Sequence, residues 1–565
     1  MTLAAARRGA VALPPWAAAA TVGLVTLGVA MAVVRPYVIG AFHDDAIYVI
    51  LGRALASGAG YRYLHLPGTP HATHYPPGYP ALLAILWRVA PQFPDNVLLF
   101  ERANACLLGV AGAVGYTLVR RCTQLRAPWA AAVAIVGTAT VPSLALATVI
   151  LSESLFLAVL LGALVASEAV VAPANPEAPD RWSGPSGRAW RQETGDRRKP
   201  REKSDRENAT AAAIAGLLCG AVGLVRTVGI VVVPAAVAVC LIRRRPRAAL
   251  VVGAVATAML LPWQLWVWRH SAELAPVLQG EYGSYSGWLT GALGRHGLGF
   301  AFRTAQQNVS DMVAMLEIQF APQLPLVVKR IAIAASAALT VAGLARMART
   351  APVTAAFAVL YAGEVVFWPF PPFRFVWAVW FLVVLVMVAG AVAFWEWRPR
   401  AGTAVRLATM RVARAAALAG ALMVGLGVGR YNVLGFRGHW WNTMQESLSV
   451  KMNVPLAWLA SHPALPGVVA SDQEPAIFLY AGRTGVPCNS FTPDEYIYPR
   501  DTAHDRAILG VVLRRFPVGA VVATGPACAL AALRLTRADS PARPAALIPV
   551  DTMTAGFAVF ARGTP

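Results

Sequence analysis

The sequence predicts an α-helical integral membrane protein of about eleven transmembrane helices, with an interfacial helix in its first outer loop and a small C-terminal extracytoplasmic α/β domain. Three observations lead there. Of 565 residues, 57% are hydrophobic and only 14% charged, which is far more apolar than a soluble chain of this size. Apolar runs near the roughly 20 residues that a bilayer crossing requires recur along the first three quarters of the chain. The net charge of +21 is concentrated in short runs between apolar segments: "RRCTQLR" at 120, "RRRPR" at 243, "RMART" at 346 and "RPRAGTAVR" at 398. That is the positive-inside pattern, so the charge reports topology. No aromatic-basic platform or groove-reading motif accompanies it, which argues against a nucleic-acid partner.

The first apolar run, 15–37, follows Arg7 and Arg8 and has no small-residue cleavage site after it. It reads as an uncleaved anchor with a cytoplasmic N-terminus, which puts Asp44 outside. The apolar piece at 78–90 is too short to cross, and a crossing there would carry "RRCTQLR" to the outer side. It is therefore juxtamembrane or re-entrant. Crossings follow at 97–119, 127–148, 151–172, 210–225, 227–242, 248–268, 325–345, 350–369, 373–395 and 411–429, and every strongly basic run then falls inside. The stretch 173–208 is rich in Pro, Arg and acids and reads as a disordered cytoplasmic loop.

Residues 1–429 thus form a membrane domain and 430–565 an outer domain. In the latter, "GVVAS", "VGAVVAT", "AALIPV" and "FAVFA" read as strands, and "EPAIFLYAG" and "AHDRAILGVVLRRF" as helices. Of six cysteines, Cys106, Cys219 and Cys240 lie in apolar runs and Cys122 in a basic loop, with no metal or redox spacing. Cys488 and Cys528 both fall in the outer domain, where a disulfide is allowed.

The chemistry gathers on the outer side. After Asp44 and Asp45, apolar residues at Ala46, Ile47, Ile50, Leu51, Ala54 and Leu55 give a helix one greasy face, which should lie in the interface, with Tyr48 near the other face. A purely structural role also suits this pair, Asp44 as N-cap and Asp45 as a first-turn acid favoured by the helix dipole. Glu153 sits at the outer mouth of a span, Arg226 where two apolar runs meet on that side, and Arg374 at the start of another. Four ionisable groups of both signs at span mouths on one face suggest a polar site at the membrane surface. There a carboxylate can take a proton from an acceptor hydroxyl while arginines stabilise the charge on a phosphate leaving group. No GxxxxGK[ST] and no strand-linked GxGxxG is present, consistent with chemistry that needs no nucleotide.

Taken in order, "HDDAIYVILGRALASGAGY", "HYPPGYPALLAIL", "SESLF", "GLVRTVG", "PFRFVW" and "VVASDQEPAIFLYAGRTGVP" resemble the GT-C superfamily of polyprenyl-phosphate-sugar-dependent glycosyltransferases. The branch most similar includes bacterial protein O-mannosyltransferases, the aminoarabinose transferase acting on lipid A, and rhizobial lipopolysaccharide glycosyltransferases. The resemblance implies a GT-C fold in a bacterial plasma membrane and an inverting transfer from a polyprenyl-phosphate-sugar donor to a lipid, glycan or protein acceptor. It implies Asp44 as catalytic base, Asp45 as its partner and Glu153 as the second acid. Arg226 and Arg374 would face the lipid phosphate, with Tyr48 and Tyr75 in the substrate site. Where some members carry Glu-Lys before the Pro-Pro pair, this chain has His74-Tyr75; His74 and His71 could still bind a phosphate or a divalent ion. Lys329 and Arg330 could hold the lipid phosphate or simply anchor a helix end, and Tyr282, Tyr285 and Trp288 could stack on a sugar or form an interfacial belt. The rival class is a transporter or flippase, which should cluster its charges near mid-membrane on repeated, broken helices; no such repeat is evident.

Overall fold

The computed structural model describes residues 14–40, 42–172, 199–319, 325–397, 404–489, 491–536, 547–552 and 557–562. Among the described residues, seven helices are long and apolar enough to cross a membrane: Pro15–Val33, Val97–Thr123, Glu153–Val171, Asn208–Val225, Pro246–Glu273, Leu326–Thr350 and Arg414–Arg437. An eighth span is bent by 52° between Ala127–Thr138 and Val141–Ala147, where Pro142 sets the start of the second piece. This is fewer than the eleven expected. The other three expected runs fold as the shorter apolar helices Thr227–Ile242, Pro352–Phe367 and Trp380–Glu396. Local breaks shorten two of them: Thr227–Val231 is a 3-10 turn, and Val379 interrupts the run that begins at Phe373.

Most of the expected disordered loop, residues 173–198, lies outside the described residues. Its last part is corrected: from Lys199 the chain is helical and continuous with the span that ends at Val225. The charged stretch "REKSDREN" contains strong helix formers, so it can extend the helix beyond the apolar run. At the other end of the membrane region, the expected boundary at 429 falls inside helix Ala404–Arg437, and a further helix, Trp440–Ser461, precedes the first strand.

Small residues let the helices touch. A Cβ on Gly343 would lie 2.0 Å from the Val386 carbonyl oxygen, and one on Gly390 would lie 1.9 Å from that of Leu339. Helices Leu326–Thr350 and Trp380–Glu396 therefore pack backbone against backbone, as small residues permit between membrane helices. At one end of the bundle the basic residues are tied down. Arg121 pairs with Glu168 at 3.7 Å, Arg245 donates to the carbonyls of Val170 and Ala172, and Arg346 donates to those of Cys122 and Thr123. The acids and arginines singled out in the sequence gather at the opposite end.

The helix after the first span, Asp44–Ala56, does not lie on the surface as an interfacial helix. Asp45 through Gly52 and Ala54 are all buried. Val49 completes an apolar surface on more than one side, and such a helix is covered by protein. It packs on helix Gly78–Val89, which at 12 residues spans only about 18 Å and stops short of crossing. Gly52 permits the approach: a Cβ there would lie 2.8 Å from that of Leu83.

The C-terminal region builds a five-stranded mixed sheet from β1 (Val468–Ser471), β2 (Gly485–Pro487), β3 (Val518–Ala523), β4 (Leu547–Thr552) and β5 (Ala558–Arg562), in the order β2-β1-β3-β5-β4. β1 pairs in parallel with β2 and β3, while β5 pairs antiparallel with β3 and β4. The four expected strand strings and both helices, Glu474–Ala481 and Thr502–Arg515, form where the alternation places them; β2 and helix Pro526–Thr536 were not foreseen. Cys488, just after β2, is joined to Cys528 in a disulfide.

Candidate active site

Asp44 and Glu153 each open a helix, Asp44–Ala56 and Glu153–Val171, so the positive end of a helix dipole favours both carboxylates. The N-cap of the first helix is His43, and Asp44 is its first helical residue, which corrects the capping role expected of Asp44. Its side chain is free for other partners. Arg374 Nη1 donates to Asp44 Oδ2 and Arg374 Nε donates to Glu153 Oε1. Arg226 Nη1 lies 2.6 Å from Glu153 Oε1 and donates to Ser152 Oγ at 3.2 Å. The four groups thus form one chain, Asp44 to Arg374 to Glu153 to Arg226.

Tyr75 OH donates to the other oxygen of Asp44, Oδ1, at 2.6 Å. Burial alone would raise the Asp44 carboxyl, but the charge of Arg374 and the hydrogen bonds from Tyr75 and Arg374 outweigh it and bring it down to about 2. Tyr48 OH shares a hydrogen bond with Ser152 Oγ at 3.1 Å, with its ring edge-on to Tyr75.

These residues line a cavity of about 310 Å³ whose wall includes Asp44, Tyr48, His74, Tyr75, Arg226 and Arg374. Tyr285 and Trp288 form another side, and Phe370, Phe375 and Phe491 add apolar surface. Ser284 caps the helix that carries Tyr285, accepting from the Gly287 N–H at 3.2 Å. His74 is sandwiched beside these rings, 4.1 Å from Tyr285 and 4.7 Å from Trp288 between centroids, with Nδ1 on the Gly283 carbonyl. Burial lowers the imidazole to about 4 against the opposing pull of that carbonyl, so His74 is neutral at pH 7.

Other expected site residues stand elsewhere. Glu153 is 2% exposed and lies behind the two arginines, off the cavity wall, as their common counter-ion. Asp45 faces away from the cavity: it accepts from Tyr37 OH and Gly40 N–H at 3.0 Å each and from Phe42 N–H at 3.2 Å, and so folds the loop that presents Asp44. Lys329 and Arg330, near the start of helix Leu326–Thr350, are not part of the cavity wall. Tyr282 is fully buried and donates to Glu474 Oε1 at 2.5 Å, so its ring is no sugar platform. His71 lies outside the cavity, against Glu273.

Four groups escaped the sequence reading. His43 has a positive φ of 58° in a tight turn closed by the Asp44 N–H donating to the Phe42 carbonyl at 2.6 Å. Its ring sits between Glu281, 3.5 Å away, and Glu474, 3.6 Å away. Burial would lower this imidazole, but the two carboxylates raise it to about 10. Glu364 also lines the cavity, and its Oε2 is buried without a hydrogen-bond partner. An acid within the apolar run "YAGEVVFW" is the signal that could have found Glu364. Nothing local links His43 to Glu281 and Glu474, hundreds of residues away.

No family model and no curated protein matches the sequence. Among solved structures, the chain is similar to ArnT from Cupriavidus metallidurans bound to undecaprenyl phosphate, with a TM-score of 0.46 and 14% identity over 96% of this chain and 97% of that one. It is also similar to the archaeal oligosaccharyltransferase AglB from Archaeoglobus fulgidus, in complex with an inhibitory peptide and a dolichol-phosphate, with a TM-score of 0.42 and 12% identity over 90% of this chain and 69% of that one.

Proposed function

We propose that this protein is an integral membrane glycosyltransferase of the GT-C type, moving a sugar from a polyprenyl-phosphate-linked donor to a cell-envelope acceptor with Asp44 as general base. The observation that carries the reading is that one arginine, Arg374, bridges Asp44 and the buried Glu153 on the wall of a cavity that a second arginine also enters. In the reaction, Asp44 takes the proton of an acceptor hydroxyl, and the hydroxyl oxygen attacks the anomeric carbon. The carbon–oxygen bond to the lipid phosphate breaks, its electron pair stays on the phosphate oxygen, and the configuration inverts. Arg226 and Arg374 meet the charge that develops there, and Glu153 keeps both guanidinium groups in place.

The resting geometry adds a condition. A carboxylate held at about 2 by Arg374 is a weak base. An arriving phosphate competes for the same guanidinium, and the share that Arg374 gives up returns basicity to Asp44. Proton abstraction is thereby linked to the presence of donor. Asp45 acts as a positioning residue through the loop it folds. Tyr285 and Trp288 offer faces to the sugar, and the phenylalanines offer apolar surface to the lipid.

In this reading, the three short apolar helices complete eleven crossings, residues 1–429 carry catalysis, and the sheet region following them seats the first loop through Glu474. In the same reading the site faces outward from a bacterial plasma membrane; the gathering of Arg121, Arg245 and Arg346 at the opposite end supports that orientation. The test is a vesicle assay with donor labelled in its sugar and envelope acceptors supplied. Covalent label on an acceptor, released from the lipid phosphate, is the expected result; label or lipid carried across the bilayer without transfer would replace the enzyme with a transporter.

A further inference from the structure

Helices Leu326–Thr350 and Trp380–Glu396 meet backbone to backbone at Gly343 and Gly390. In the next two turns of both, at the end of the bundle where the basic residues are tied down, they frame a groove of about 680 Å³. Ala342, Ala345 and Ala393 keep a slot open between them, and Phe394 and Trp397 give it an apolar side. The polar side holds two arginines and one acid. Arg346 is fully engaged: it donates to Glu396 and to the carbonyls of Cys122 at 3.2 Å and Thr123 at 3.1 Å. Arg349, one turn further along the same face, is exposed and has no hydrogen-bond or ion-pair partner among the described residues. Two guanidinium groups against the Glu396 carboxylate leave one positive charge over, and it rests on Arg349. Apolar surface continues from the groove toward the middle of the helix at Val341, one turn before Ala345 and 68% exposed, while Trp397 stands 47% exposed at the opposite end. A free cation beside an indole, with apolar surface on the mid-membrane side, is the layering of a headgroup boundary.

We propose that this groove binds the headgroup of an anionic phospholipid, with Arg349 holding its phosphodiester. Basic pockets between membrane helices suit acidic headgroups, and a guanidinium presents two parallel donors to phosphate oxygens. The single uncompensated charge matches a phosphodiester monoanion such as that of phosphatidylglycerol. Phosphatidylcholine carries its own cation and gains nothing from Arg349. Inorganic phosphate would bring no chain to lie along Val341 and Phe394. Arg346 acts as a positioning residue: by holding Glu396, it keeps that carboxylate off the incoming anion. A snorkelling arginine at a helix end needs neither the slot nor the uncompensated charge, and it would not depend on Ala345 being small. The lipid would lie against both helices just past their close contact at Gly343 and Gly390, at the end of the bundle away from Asp44.

Lipid binding stands apart from the reading of the cavity, so its test uses no transfer activity. Full-length protein is titrated with phosphatidylglycerol and, separately, phosphatidylcholine; retained lipid is counted by native mass spectrometry, and a photoactivatable phosphatidylglycerol marks the residues it touches. Arg349 and Ala345 are both exposed, so substituting them leaves the packed interior intact. The expected result is preferential retention of phosphatidylglycerol, weakened about fivefold in Arg349→Gln and lost in Ala345→Trp, which fills the slot. Arg243→Gln removes an exposed charge outside the groove and should change nothing. Crosslinks should fall within 341–350 and 393–397, and millimolar inorganic phosphate should leave the lipid in place. Equal retention of phosphatidylcholine, the same loss in Arg243→Gln as in Arg349→Gln, crosslinks elsewhere, or displacement by inorganic phosphate would each overturn the proposal.

Discussion

Replacing Arg374 by Gln probes the coupling between the proposed base, Asp44, and the proposed leaving-group side of the cavity. The guanidinium serves Asp44 through Nη1 and Glu153 through Nε, so the substitution removes a cation from two carboxylates at once. Asp44 is held at about 2 against an ordinary 3.8, a difference of nearly two pH units. At about 1.36 kcal/mol per unit, that is roughly 2.5 kcal/mol of stabilisation of the ionised form. Burial acts the other way and persists in the variant, so Asp44 should return to at least its ordinary value. The sign follows directly: a depressed carboxyl stabilises the folded protein above its unfolded value and loses that contribution as pH falls from about 4 through 2. Stabilisation from Asp44 should therefore be smaller in Arg374→Gln at neutral pH, and the acid limb of kcat/KM should move from below pH 3 to about pH 4 or higher. Losing one of the two donors proposed to face the phosphate should also lower kcat/KM by about 10²–10³. Arg374→Lys retains charge but cannot reach both acids with the same fork, so it should recover only part of the loss. The assay is donor-dependent transfer across pH 4–8, alongside a binding measurement for the donor. Unchanged kcat/KM and an unchanged acid limb in Arg374→Gln would refute the coupling.

Three further outcomes are expected. Asp45→Asn replaces one acceptor oxygen by a donor and leaves a loop N–H unpaired, so thermal unfolding should show a loss of about 1–3 kcal/mol; an unchanged melting temperature would remove its loop role. His43, raised to about 10, contributes stability that is complete below its unfolded value near 6.5 and is lost as pH rises through 10. Hydrogen-exchange protection of residues 42–44, relative to the base-catalysed intrinsic rate, should fall over that window in the wild type, and this loss of protection should vanish in His43→Gln. Replacing Cys488 and Cys528 by Ser opens a loop with a sequence separation of 40, which should lower the stability of the sheet region by about 4 kcal/mol on chain entropy; urea titration followed in that region measures it.

Asp44, Glu153, Arg226 and Arg374 stood out in the sequence because an ionisable group at a span mouth is expensive to keep without a partner. The same signal marked Lys329 and Arg330, which lie off the cavity wall; a flexible cation at a helix end looks identical in sequence whether it meets water or substrate. Helix Asp44–Ala56 was legible as a helix, but its environment was not, since apolar periodicity does not distinguish lipid from a protein neighbour such as Leu83. Three of the eleven expected crossings fold as helices shorter than a full span for a related reason: a run such as 373–395 keeps its hydropathy while Val379 breaks the helix. Strand strings in the C-terminal region emerged from their β-branched runs, whereas the pairing of β1 with β2 and β3 depends on contacts no local pattern records. The meeting of His43 with Glu281 and Glu474 belongs to that second kind.

Transfer of radiolabelled sugar from polyprenyl-phosphate donors to membrane acceptors, comparing wild type with Asp44→Asn in reconstituted vesicles, tests the central assignment most directly. Removal of a general base should cut transfer by about 10²–10⁴ while insertion persists and donor binding holds, because Arg374 is then released toward the phosphate. A fully active Asp44→Asn protein would take Asp44 out of the chemistry, and folded wild-type protein that transfers from no donor would contradict the glycosyltransferase assignment itself.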